Sequence, residues 1–270
     1  METRYKAVWR GKCANLGPGV YRIHSKFKRA INVLKRNSLV GVGTLGSLHL
    51  PITIIGNIPS SYDMRRIRSS CLIVEDSLLK APPLELEVQV APDNSEIPTI
   101  SDAKASRLRR LILARLLSMN RGLSWYVKYT VGARFKLTPY RRFILKRIKD
   151  LTSSLAVRDP DQAISRLIGL GEGSTPSCDD LIMGVLAALH SRGLLEIKKM
   201  IIESMLRYAH NTTLLSRSLI SCAARGYYCL EIVKLMSSED PSPWIWKLIT
   251  TGGTSGVDML TGIFIGLSDG

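Results

Sequence analysis

The chain has 270 residues, 45% of them apolar and 22% charged, with a formal net charge of +16. That length holds one large domain or two modest ones with ample core, and the composition excludes a disordered chain. Apolar runs such as 181–189 and 263–267 fall far short of the roughly 18 residues that a membrane span needs.

The start, METRYKAVWRGK, is charged throughout and holds no apolar signal region, so the expected location is cytoplasmic. From there to about residue 100 the chain reads as short strands. GVYRIHS, RAINVLK, LVGVGT, LHLPITIIG, SCLIVED and LELEVQV are rich in Val, Ile and Leu, with Gly, Pro, Asn and Ser between them. KRNSL has the look of a hairpin connection between the second and third. APDNSEIPTISD, polar and proline-bearing, then marks a boundary between a β-rich region, 1–100, and a helical region, 101–270.

Beyond it the apolar period lengthens to that of helices. Leu108, Leu111, Ile112, Arg115 and Leu116 are spaced for a helix, as are Ile197, Met200, Ile201, Met205 and Leu206. The expected class is therefore α+β by segregation, a β-rich N-terminal half followed by an α-helical C-terminal half.

The segment from Lys104 to Lys149 carries fourteen Lys or Arg and no Asp or Glu. Clustered cations can displace counterions from nucleic-acid phosphates. Leu and Ile interrupt this run at helical spacing, however, and no nucleic-acid module accompanies it. It reads better as a solvated helical face, or as one that meets an acidic partner subunit or substrate. The five cysteines show no C-x-x-C spacing and the four histidines are scattered, which argues against a disulfide framework and a structural zinc site.

Chemistry concentrates in GLGEGSTPSCDDLIMG. Gly169, Gly171 and Gly173 permit positive φ and close backbone approach. Ser177 with Asp180 forms an S-x-x-D helix start, and Asp179 and Asp180 fall in the first turn, where the helix dipole favours negative charge. The C-terminal TGGTSGVDMLTGIFIGL repeats the spacing: Ser255 stands to Asp258 and Gly262 as Ser177 stands to Asp180 and Gly184. The two starts are expected to face one pocket, with Gly184 and Gly262 at a close helix contact. Facing carboxylates require a proton, a metal or a basic side chain between them, and Arg29 and Arg217 are candidates for the last.

Such a site, with helix-start N–H groups, the hydroxyls of Thr175, Ser177, Thr254 and Ser255, and the backbone of Gly256, suits an anionic, phosphorylated ligand, with Mg²⁺ at Asp179 and Asp180 as a candidate bridge. Asp179, Asp180 and Asp258 are the candidate catalytic residues. Thr212, Thr213 and Ser216, within one turn of each other in HNTTLLSRSLI, supply a further set of hydroxyls.

These three motifs together resemble the DUF2877 family, and IHSKFKRAINVL is similar to that family's Ser-x-Phe-x-x-Ala-x-Asn segment. The chain departs from the family pattern at Cys178 and Glu172. The resemblance implies that Ser25 and Asn32 join the site. It also implies a likeness to a subunit of oxamate carbamoyltransferase, which moves a carbamoyl group between carbamoyl phosphate and oxamate with other subunits in anaerobic allantoin breakdown. Two function classes stand: a transferase subunit that binds carbamoyl phosphate or a related acyl phosphate, alone or as a homo-oligomer or with partner subunits, and a non-catalytic assembly subunit completing a partner's active site. A nucleic-acid-binding protein using residues 104–149 is the third and weaker class.

Overall fold

A computed structural model describes residues 3–36, 38–93, 96–250 and 253–268. The chain divides into two compact units, one of residues 1–96 with 227–230 and one of residues 97–226 with 231–270. The fold is α+β, with strands confined to the first unit and long helices to the second.

The first unit is a closed eight-stranded barrel, built from β1 (Thr3–Arg10), β2 (Gly19–Lys26), β3 (Ala30–Lys35), β4 (Ser38–Gly43), β5 (Thr53–Gly56), β6 (Cys71–Glu75), β7 (Leu78–Ala81) and β8 (Leu84–Glu87). Strand order around it is β1-β5-β4-β3-β2-β6-β7-β8, closed by the parallel pairing of β1 with β8. Ile31 and Val33, Val40 and Val42, Leu72 and Val74, and Leu84 and Leu86 fill the interior, alternate residues of each strand as the pleat requires. The strand segments expected from the sequence correspond to β2–β6 and β8. The centre of the KRNSL connection, Asn37, lies outside the described residues. β1 and β7 escaped the sequence reading. Arg4, Lys6 and Arg10 share one side of β1 with the exposed Val8 and break up its apolar pattern, while β7 is only four residues long.

The second unit holds ten helices among the described residues: α1 (Asp102–Leu117), α2 (Ser124–Thr130), α3 (Pro139–Ala156), α4 (Asp161–Leu167), α5 (Ser177–Ser191), α6 (Leu195–Arg207), α7 (Leu214–Ala224), α8 (Leu230–Ser237), α9 (Ser242–Thr250) and α10 (Ser255–Gly266). None is long and apolar enough to cross a membrane. Helices α5 and α10 are buried on every side and form the centre, as expected of helices apolar all round. α6 and α7 pack on α5, and α1 and α2 pack on α10.

The central contact is reciprocal. A Cβ at Gly184 would collide with Met259 O and crowd Ile263 N, and one at Gly262 would collide with Leu181 O and crowd Val185 N. Each glycine thus meets the residues one and five places beyond the other helix's aspartate, Asp258 or Asp180. The backbones touch because both glycines lack a side chain.

Gly184→Ala and Gly262→Ala should each cost about 3 kcal/mol or more, since a methyl is forced into packed backbone. Because either one pushes the same two helices apart, the double variant should lose clearly less than the two losses together. Urea melts of the three variants check this, and full additivity would show that the two contacts are independent.

Candidate functional site

The two serine-led motifs start helices one residue earlier than capping by serine would place them. Ser177 and Ser255 are the first helical residues, with Pro176 and Thr254 as the caps, and neither cap makes a side-chain cap hydrogen bond. Freed from that duty, the serine hydroxyls turn to the opposite helix. Ser255 bonds to Asp180, and Ser177 stands beside Asp258. The two starts do converge, each serine serving the aspartate of the other motif.

Thr175 links the two motifs further. Its hydroxyl donates to Asp180 Oδ2 at 3.0 Å and lies 3.0 Å from Ser255 Oγ. Asp179 accepts from Gly169 N at 2.7 Å and from the Thr212 hydroxyl, with Ser216 Oγ buried nearby. Thr213 caps α7, accepting from Ser216 N at 3.2 Å, and donates to Ser174 O at 2.7 Å. Asp258 Oδ1 accepts from Leu123 N at 2.6 Å, so the start of α2 serves α10 as the start of α7 serves α5.

The glycine loop is shaped by its own chain. Gly169 has φ +79°, and a Cβ there would strike Asn211 O; Gly171 has φ +119°, and a Cβ there would strike Ser177 N. These two glycines therefore let the loop lie against the entries to α7 and α5. Cys178 N donates to Leu170 O, and Asp179 N and Asp180 N donate to Pro176 O. Those three N–H groups of α5 are committed within the protein. Gly256 fits against Leu248 O of α9.

Burial dominates the electrostatics. Asp179, Asp180 and Asp258 are all 1% exposed or less. Desolvation raises the pKa of each above the usual carboxylate range, Asp180 furthest. Hydroxyl and N–H donors oppose the rise at each, whereas the charge of Asp258 adds to it at Asp180. The cation that acts on Asp258 is Arg121, where the sequence had suggested Arg29 or Arg217. Arg217 is exposed on α7. Burial, then Asp179 and Asp258, also push the Cys178 thiol up, which disfavours the thiolate.

Beside these groups lies a pocket of about 320 Å³, lined by Ser177, Cys178 and Thr254 together with Trp125, Tyr140 and Arg141. The Arg141 guanidinium stands 5.8 Å from the Trp125 ring centre. Tyr140 is 57% exposed, and partial burial, then its neighbours Cys178, Glu172 and Asp258, raise its pKa. The sequence reading missed the contributions of Arg121, Leu123, Trp125, Tyr140 and Arg141. One sign was available: Gly122, at φ +54°, leaves room for Asp258 Oδ1, which a Cβ would strike.

Ser25, Arg29 and Asn32 belong to the barrel unit, where Asn32 donates to Ser25 Oγ at 3.1 Å and Arg29 reaches Gly46 O at 3.5 Å. Several cations of the 104–149 segment are engaged with aromatic rings, Arg109 over Phe264, Arg115 over Trp246 and Lys149 over Tyr129. Among the described residues no group of three or more His, Cys, Asp or Glu could hold a metal ion.

The raised carboxyl groups predict a pH signature. A carboxyl whose folded pKa lies above its unfolded value near 3.9 stabilises most below that value, and the stability is lost as pH rises through the folded pKa. Asp180→Asn, which mimics the protonated acid, should therefore melt several degrees above the parent at pH 8. That advantage should shrink steadily toward pH 4. A gap that stays constant across thermal scans at pH 4–8 would contradict it.

No curated protein and no solved structure matches the chain. Residues 167–267, which run from the end of α4 through α10 and include Asp179, Asp180, Thr212 and Asp258, match the family of oxamate carbamoyltransferase subunit AllH. Over that stretch the chain is AllH-like.

Proposed function

We propose that the protein is a carbamoyltransferase-type subunit that binds carbamoyl phosphate, or a related acyl phosphate, in the pocket at the paired starts of α5 and α10. The observation that carries this reading is a cavity lined by Arg141, Ser177 and Thr254, whose two hydroxyls also bond to buried Asp258, within a chain whose C-terminal stretch is AllH-like. With three N–H groups of α5 committed to Leu170 O and Pro176 O, the phosphate falls to the Arg141 guanidinium and the two hydroxyls, charge-assisted donors of the kind that favour it. Preorganised hydroxyl groups then stand near the carbonyl end, where charge develops on transfer.

A dependence on other subunits follows from the same likeness, because the matched family is named as a subunit. In that arrangement this chain supplies the acyl-phosphate pocket and a partner supplies the acceptor.

Titration calorimetry should detect carbamoyl phosphate, and Arg141→Gln should weaken its binding at least about tenfold, the loss expected for one charged hydrogen bond. Transferase activity should appear only when partner subunits are added. Equal binding by parent and variant would overturn the placement of the phosphate at Arg141.

A further inference from the structure

Many of the fourteen cations between Lys104 and Lys149 are held within the helical unit. Arg109 and Arg115 lie on the rings of Phe264 and Trp246, Lys104 and Lys128 donate to Ser237 O and Asn120 Oδ1, and Arg141 lines the pocket. A second set gathers where α3 begins. Arg134 and Lys136, just before the helix, and Arg142 and Lys146, on it, are exposed. These four make no hydrogen bond, ring contact or ion pair among the described residues. Nor does any of the fourteen join an ion pair among them.

Helix α3 turns Ile144, Leu145, Ile148 and Leu151 inward. Arg142, Phe143, Lys146, Arg147 and Lys149 are left to the outer side. Phe143 is 44% exposed, and the Arg147 guanidinium stands 4.1 Å from its ring centre. An aromatic ring thus sits within a cationic strip that runs about 10 Å along the helix, from Arg142 to Lys149.

That face works against its own helix. The first turn of α3 holds no acidic residue, and Arg141 and Arg142 put positive charge at the positive end of the helix dipole. Arg142 and Lys146 are four residues apart, Lys146 and Lys149 three, and like charges at those spacings repel. Asp150, the one acid of the helix, forms no ion pair. Solubility alone does not call for this, since charges of both signs, interspersed, solvate a helix and also support it.

We propose that the outer face of α3, with the loop before it, is the docking surface for a partner subunit, which presents acidic side chains around an apolar group that seats on Phe143. Aromatic rings and arginine at the centre of a polar rim are the make-up of a protein interface. A nucleic acid is the poorer fit, because Arg147 already lies on the Phe143 ring, where a base would stack. The four free cations are also few for a binding mode that rests on counterion release. Position favours a subunit as well. Tyr140, three residues before Phe143, is exposed and lines the pocket, so a partner seated on α3 stands beside that pocket. The inference rests on the reading of the chain as a subunit and adds the face and the partner chemistry.

Arg142→Glu separates docking from folding. It places an acid in the first turn of α3 and opposite Lys146, so the isolated chain should melt about 2 °C higher than the parent. The same variant should assemble with the other oxamate carbamoyltransferase subunits at least about tenfold more weakly in sedimentation experiments, because it sets like charges against each other across the interface. Phe143→Ala should also weaken assembly, and both variants should bind carbamoyl phosphate as the parent does. Assembly of Arg142→Glu as tight as the parent's would overturn the docking surface and leave the subunit reading intact. A parent that assembles with none of those subunits overturns both. A lower melting temperature for Arg142→Glu would make Arg142 a structural residue and sink the proposal. So would micromolar binding of a single-stranded oligothymidylate at physiological salt that Arg142→Glu abolishes, since the face would then serve a nucleic acid.

Discussion

Everything in the helical unit depends on the backbone contact between α5 and α10. Two helices that are apolar all round must be packed on every side, and Gly184 and Gly262 let them meet at backbone distance. Close approach of the helices fixes the approach of their first turns. Asp180 and Asp258 each lie four residues, about one turn, before the glycine of their own helix. The contact that forms the core therefore also brings the carboxyl groups together, and packing and site are one constraint.

That constraint sets the electrostatics. Two carboxyl groups forced together and away from water cannot both be charged cheaply. The sequence answers with hydroxyls: Thr175, Ser255 and Thr212 bond to the α5 aspartates, and Ser177 and Thr254 stand beside Asp258. Hydroxyls suit this place better than lysine or arginine, because they serve a neutral or a charged carboxyl and bring no further charge to desolvate. The cation that does act, Arg121, is itself exposed and acts from outside. The result is a buried set of hydroxyl and carboxyl groups beside a pocket lined by the half-buried Arg141.

The division of fold class was legible, because apolar spacing changes from two to three or four near residue 100 and β-branched runs give way to Leu-rich ones. The convergence of the two motifs was legible too, since Ser, Asp and Gly recur at matched intervals. The contributions of α2 and α3 were not. Leu123 acts through its backbone N–H, and no residue type announces a backbone donor. Arg141, Tyr140 and Trp125 lie in a run so rich in cations that three lining a pocket wall look like any others on a solvated face. The glycine loop misled in a different way. Its positive φ angles suggested a ligand cradle, yet Gly169 and Gly171 make room for Asn211 O and Ser177 N of the protein itself.

That last point bears on how such loops should be read. A glycine-rich turn ahead of a helix is an anion site only if the first N–H groups remain free, and here Leu170 O and Pro176 O take those of Cys178, Asp179 and Asp180. The loop spends its flexibility on delivering one side chain, Thr175, to the junction of the two helices. Across the same junction the position corresponding to Thr175 is Gly253, and Asp258 is held instead by Leu123 N on Oδ1 and by the Ser177 and Thr254 hydroxyls, so the two aspartates reach the same end by different local chains.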